Sequence, residues 1–196
     1  MKNTWITSDT HFGHSGVCRF LNDDGTKLRP WDNPDDMDES MVELWNSKVK
    51  PGDKVYHLGD VVINRRCLKT LGRLNGDLVL IKGNHDIFRI NEYLEYFREV
   101  RAYHVLNGMI FSHIPIHPAS LERFGVNVHG HTHSNQVMLP NGFDQSTGEI
   151  IYSDIPDPKY FCVCVEQTDF APIALEDLQQ RIIARGGSIE MRQGNR

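Results

Sequence analysis

With 196 residues, 39% of them hydrophobic and 24% charged, the chain is long enough to bury a core without staples and too apolar to be disordered or fibrous. Its formal charge of -5 argues against broad, nonspecific nucleic-acid binding and leaves room for a local cationic site. It holds no apolar stretch of membrane-spanning length, and Met1 to Trp5 run straight into a strand rather than a leader, so a cytoplasmic protein with no membrane partner is expected.

Residues 4–8 read as a first strand that ends in Asp9, Thr10 and His11. Residues 14–31 are polar, turn at Asn22-Asp23-Asp24-Gly25 and stop at Arg29-Pro30-Trp31; too long for a plain connection, they are placed over the mouth of a site. Asn33-Pro34-Asp35-Asp36 then supplies a helix cap, a proline at the first helical position and acids in the first turn. Met37, Met41, Leu44 and Trp45 follow at helical spacing, which predicts an amphipathic helix to about Lys48. Pro51-Gly52-Asp53 turn the chain into a second strand reaching Gly59-Asp60. Leu68, Leu71 and Leu74 mark a second helix, closed by Asn75-Gly76. Residues 78–81 form a continuous apolar run, a buried strand emptying into Gly83-Asn84-His85-Asp86. Residues 88–97 read as a third helix.

The second half is richer in strands. Residues 102–106 and 109–112 predict a hairpin around Asn107-Gly108. The second of these strands ends in His113, and residues 126–129 lead into Gly130-His131-Thr132-His133. Residues 136–139 and 149–152 are strand candidates flanking a loop, 160–165 a buried strand, and 175–184 a last helix. Strands alternating with helices, with polar residues at the strand ends, predict an α/β layered fold in one domain, residues 1–185, followed by a polar tail, 186–196, that frays.

Asp9, His11, Asp60, Asn84, His113, His131 and His133 supply carboxylate, imidazole and amide oxygen without thiolate, a set that suits Mn²⁺, Fe²⁺, Zn²⁺ or Ni²⁺. They are too many for one ion and about right for two ions sharing a carboxylate. The cysteines stand apart: Cys162 and Cys164 lie at strand spacing and are read, with Cys18 and Cys67, as small buried hydrophobes in a reducing compartment. Among the remaining histidines, His57, His104 and His129 are read as structural or supporting. His14 either faces the site or packs, and His117 is equally open.

The blocks Asp9-Thr10-His11, Gly59-Asp60, Gly83-Asn84-His85-Asp86, His113 and Gly130-His131-Thr132-His133, in that order, resemble the signature of the calcineurin-like metallophosphoesterase superfamily. Asp9-Thr10-His11-Phe12-Gly13-His14, Trp45-Asn46, Val165-Glu166 and Leu175-Glu176-Asp177-Leu178 further resemble a small bacterial and phage-type branch. The resemblance implies a four-layer α/β/β/α sandwich with mixed sheets. It also implies a two-metal site, Mn²⁺ favoured, with Asp9, His11 and His133 on one ion, Asn84, His113 and His131 on the other, and Asp60 between them. His85 would touch the phosphate and protonate the leaving oxygen. The reaction implied is in-line attack of a metal-bridging hydroxide on a small phosphate ester, with phosphodiesters of small or nucleotide-type substrates favoured. A phosphomonoesterase acting on nucleotides or proteins is the alternative, and a catalytically silent metal-binding scaffold is the reading from another class. Oligomeric state stays open.

In one respect the chain departs from the superfamily's protein phosphatases: Ile63 and Asn64 stand where those continue the Gly-Asp block with Asp-Arg. Arg65 and Arg66 either replace that phosphate clamp or are solvated helix charges. Arg19, Arg29 and Arg123 are further candidate anion contacts.

Overall fold

The computed structural model describes residues 2–190. Met1 and residues 191–196, the end of the expected polar tail, lie outside the described residues. The first half runs β1 (Thr4–Thr7), α1 (Pro34–Lys48), β2 (Lys54–His57), α2 (Leu68–Leu71), β3 (Asp77–Ile81), α3 (Ile90–Tyr93) and β4 (Glu99–Arg101). The second half runs β5 (His104–Leu106), β6 (Met109–Ser112), β7 (Val126–His129), β8 (Met138–Phe143), β9 (Ile150–Pro156), β10 (Tyr160–Cys162), β11 (Ile173–Ala174) and α4 (Leu175–Ala184).

Two mixed sheets result. The first has the order β11-β1-β2-β3-β4, with β1 to β4 parallel and β11 antiparallel at its edge; the second has the order β10-β7-β6-β5, parallel except for β5. Alternate residues of the central strands face opposite ways and both faces are covered, which is why these strands read as unbroken apolar runs. Val55, Leu78 and Leu80 pack under α1 and α2 with Met41, Trp45 and Leu71. Tyr56, Val79 and Ile81 face Met109, Phe111, Val126 and Val128 of the second sheet, and Leu178 and Ile182 of α4 close this inter-sheet core. On the outer face of the second sheet, Ile110 and Tyr160 pack against Leu121. That fourth layer is thin, its ordered part a 3-10 turn at Pro118–Leu121.

Local chemistry explains the elements that match expectation. The Asn33 side chain accepts the Asp36 N–H at 2.9 Å, and Pro34 opens α1. Asn107 and Gly108 both take positive φ, 49° and 74°, the primed turn that suits the twist of the β5–β6 hairpin. α4 spans the residues expected.

Elsewhere tertiary contacts overrule the pattern. α3 is one turn instead of a helix over 88–97, because Tyr93 and Phe97 are buried while Ile90 and Leu94 face solvent, leaving too narrow an apolar stripe to hold a longer helix. α2 is also short and follows a 3-10 turn at Arg65–Cys67. β4 and β11, three and two residues long, carry too few residues to show a period. β10 stops at Cys162, after which the chain crosses between sheets: the Val163 N–H donates to His129 O, while Cys164 bridges Ser8 of the first sheet. β8 and β9 are longer than expected and form a separate ribbon. Within the expected tail, Ile189 packs on the inter-sheet core, and the Ser188 and Ile189 carbonyls lie where side chains at Gly125 and Gly108 would stand. Among the described residues, no helix is long and apolar enough to cross a membrane.

Candidate metal centre

Because β1, β2 and β3 are parallel and β6 and β7 are parallel, the loops after all five strands emerge along one edge of the sandwich. Backbone hydrogen bonds tie those loops together: Asp9 N–H to Gly59 O, His11 N–H to Asp60 O, and Gly130 N–H to His113 O. The seven predicted ligands meet there. Donor atoms of Asp9, His11 and His133 lie within 4.8 Å of one another, and so do those of Asp60, His113 and His131. Asn84 Oδ1 is 2.8 Å from His113 Nε2, which joins it to the second group.

The backbone at the site is strained. Asp9, His11, Asp60, His131 and His133 all hold φ between 50° and 71°, a left-handed region costing non-glycine residues about 1–3 kcal/mol each when the strain is fully expressed. Close approach of the loops also requires glycine. A Cβ on Gly130 would stand 2.0 Å from Ser8 Oγ and 2.3 Å from Asp9 Oδ2, and one on Gly83 would stand 2.2 Å from Asp60 Oδ1.

Each carboxylate turns one oxygen to the protein and one to the centre. Asp9 Oδ2 accepts from Ser8 Oγ at 2.5 Å, the His131 N–H at 2.9 Å and the Cys164 thiol at 3.1 Å. Its Oδ1 is buried without a hydrogen-bond partner, as is His11 Nε2 only 3.6 Å away. Asp60 Oδ1 accepts the His85 N–H, while Oδ2 stands 3.7 Å from His11 Nε2 and 3.4 Å from His113 Nε2. The unpartnered Asp9 Oδ1 and His11 Nε2, converging at these distances with Asp60 Oδ2 and His113 Nε2, fit divalent ions, which would satisfy them together. Burial opposes charge on Asp9 and Asp60, yet the imidazoles hold both carboxyls below the ordinary range; the same pairing raises His113 above its ordinary value against burial.

The predicted ligands are aimed by their other atoms. His113 Nδ1 donates to Leu58 O at 2.8 Å, which frees Nε2 for the centre. His133 Nδ1 lies 3.0 Å from Glu166 Oε1, with Nε2 toward Asp9 Oδ1. Glu166 is a residue to which the sequence assigned no role, though it stands where an apolar strand run ends, the same signal that marked the ligands. Arg29 explains it. Instead of serving as an anion contact, this arginine is fully buried and donates to Asp9 O at 2.6 Å, Thr10 O at 2.8 Å and Glu166 Oε1 at 2.7 Å. Asp86 is likewise structural, accepting the N–H groups of Asp60, Val61 and Gly83 and so pinning two ligand loops to each other.

The other predicted residues divide. The His85 ring is exposed, 5.6 Å from that of His11. His14 also faces inward, 5.6 Å from His11 and edge-on to Phe20 at 5.8 Å; burial and nearby cationic groups push its pKa down to about 4. Arg65 pairs with Glu92 and lies over the Phe88 ring, and Arg66 lines a depression with Asp35, Asp38 and Glu39 that contains none of the ligands. His117 is exposed and caps the 3-10 turn at Pro118–Leu121 by accepting the Ala119 N–H. His57, His104 and His129 sit in strands, His57 and His129 buried and His104 stacked on Tyr56 at 4.6 Å. The four cysteines are unpaired thiols, and that of Cys164 touches Asp9.

Comparison with known proteins shows the family and the fold. The chain is 31% identical over 192 residues to an uncharacterised protein of Methanocaldococcus jannaschii, spanning 95% of this chain and 94% of that one. It is 40% identical over 91 residues to the gene 66 protein of Mycobacterium phage D29, 44% of this chain and 41% of the phage protein. Its fold is shared with a protein of unknown function from Aquifex aeolicus at TM-score 0.65 and 21% identity, covering 92% of this chain and 100% of that one. The model of the calcineurin-like phosphoesterase family matches residues 2–186, and the chain belongs to that family.

Proposed function

We propose that the protein is a two-metal phosphodiesterase acting on small or nucleotide-type substrates, with Mn²⁺ the favoured ion. The observation that carries this reading is the place of Asp60: one oxygen, Oδ2, lies within 4 Å of a histidine nitrogen from each ligand group, 3.7 Å from His11 and 3.4 Å from His113. A single carboxylate oxygen so placed suits a bridge between two ions. Asp9, His11 and His133 would hold one ion and Asn84, His113 and His131 the other. Bound there, the ions would supply Lewis-acid polarisation of the phosphoryl oxygens and acidify a water.

The chain's own residues would do the rest. His85 is exposed beside His11, in reach of a leaving oxygen, and acts as the general acid. His14, between His11 and Phe20, faces substrate. Glu166 and Arg29 hold His133 and the Asp9 loop in position. Residues 1–185 work as one domain.

The test is hydrolysis of an aryl phosphodiester and its matching monoester by metal-stripped protein with Mn²⁺, Ni²⁺, Zn²⁺ or Mg²⁺ returned in turn. Diester turnover restored by metal is the expected result. Faster monoester turnover would transfer the assignment to a phosphomonoesterase, and no turnover in protein shown to bind two ions would leave a scaffold.

A further inference from the structure

We infer that the substrate is a phosphodiester carrying a flat, base-sized group on each side of phosphorus, each group seated in its own cleft beside the metal centre. This rests on the phosphoesterase reading and narrows it.

Two clefts open off the ligand cluster. The first, about 500 Å³, shares Asn84 and His113 with it and is lined by Tyr103, Ile114 and Ile116, with Lys82 also present. The second, about 400 Å³, shares His131 and His133 with it and is lined by Phe20, Leu21 and Asn135. No lining residue is common to both. Both volumes are in the range of small-ligand sites.

Ile110 and Ile116 of the first cleft belong to or pack on the core, whereas four other apolar side chains in the two clefts stand in water. Tyr103 is 60% exposed, Ile114 53%, Phe20 50% and Leu21 63%. Large apolar groups left in water beside a polar, metal-binding cluster are explained by a ligand that covers them. Each cleft has an aromatic ring, and a ring face is what a nucleobase stacks on whatever its identity. Phe20 is a fixed platform: its N–H donates to Gly16 O, its carbonyl accepts the Leu28 N–H, and His14 meets its ring edge-on. Tyr103 sits on the short link between β4 and β5. Lys82 in the first cleft and Asn135 in the second add a polar contact to each. A phosphomonoester has one organic substituent and would leave one aromatic cleft empty, whereas a diester with two flat groups covers both.

The test compares wild type with Tyr103→Ala and Phe20→Ala. Calorimetry on metal-free protein reads binding of an uncleavable dinucleoside methylphosphonate, and Mn²⁺-loaded protein is assayed on a dinucleoside monophosphate and on ethyl 4-nitrophenyl phosphate, which carries one flat group. Each variant is expected to raise Kd for the methylphosphonate and KM for the dinucleoside by about 10-fold, the loss of one stacked base. KM should move more than kcat, Tyr103→Phe should restore binding, and the ethyl ester should respond to one variant only. Kd and KM unmoved in both variants would overturn the inference. Turnover of the ethyl ester without binding or cleavage of the dinucleoside would overturn it alone, leaving the phosphoesterase reading standing. Failure of Mn²⁺-loaded wild type on every ester would bring down both.

Discussion

Glu166 Oε1 lies 3.0 Å from His133 Nδ1, and the same oxygen receives the Arg29 guanidinium at 2.7 Å. One buried carboxylate oxygen therefore orients a proposed metal ligand and neutralises a buried cation. Pairing with Arg29 and His133 holds the Glu166 carboxyl below its ordinary range although burial pushes the other way. Glu166→Gln keeps the shape and removes the charge. We expect Mn²⁺ affinity, read by calorimetry, to fall about 10- to 100-fold. We also expect the stranded Arg29 to lower stability in urea by about 3 kcal/mol. Unchanged metal affinity would reduce the pair to a packing contact.

The role proposed for His85 can be tested apart from metal binding. Its contact with Asp60 runs through the backbone N–H, which alanine retains. His85→Ala should keep both ions and lose turnover by about 10²–10⁴, the contribution of a general acid. Full turnover in the variant would remove the role assigned to the imidazole.

Gly130 tests the packing under the first ligand group. A methyl there overlaps Ser8 Oγ and Asp9 Oδ2, so Gly130→Ala must displace the carboxylate or the loop. The expected result is Mn²⁺ stoichiometry falling from two ions toward one, with turnover down by more than about 100-fold because the displaced ligand misplaces the reacting groups. Metal binding equal to wild type would show that the loop relaxes without moving Asp9.

Acid should destabilise the fold through His57. This ring is fully buried: Nδ1 accepts the Gly59 N–H and Nε2 meets Thr10 Oγ1, so the neutral form is fully engaged. Burial pushes its pKa down to about 3. The unfolded chain takes that proton near the ordinary value of about 6.5, so the stabilisation is complete above pH 6.5 and declines as pH falls toward 3. Between pH 6.5 and 5 the loss from His57 is about 2 kcal/mol. Urea unfolding at pH 7, 6 and 5 measures it, and His57→Gln should flatten the slope; an equal slope in both proteins would place the acid sensitivity elsewhere.

Much of this protein was legible before folding because the deciding interactions are local. The Asn33 cap and Pro34 set the start of α1, Asn107-Gly108 set a primed turn, and unbroken apolar runs marked the buried strands. The ligand types and their order at strand ends also stand in the sequence, since a strand delivers whatever residue follows it to the sheet edge. What the tertiary structure alone decided depends on partners far apart in the chain. Glu166 lies 137 residues from Arg29, and that pairing turned an apparent anion contact into a buried support. Whether Ile90 and Leu94 would be covered decided the length of α3, and no local pattern records what covers a face. The choice of His113 Nε2 for the centre follows from a carbonyl 55 residues away at Leu58. Propensity and periodicity act over a few residues, whereas the aim of a side chain is set by whatever the fold brings against its other atoms.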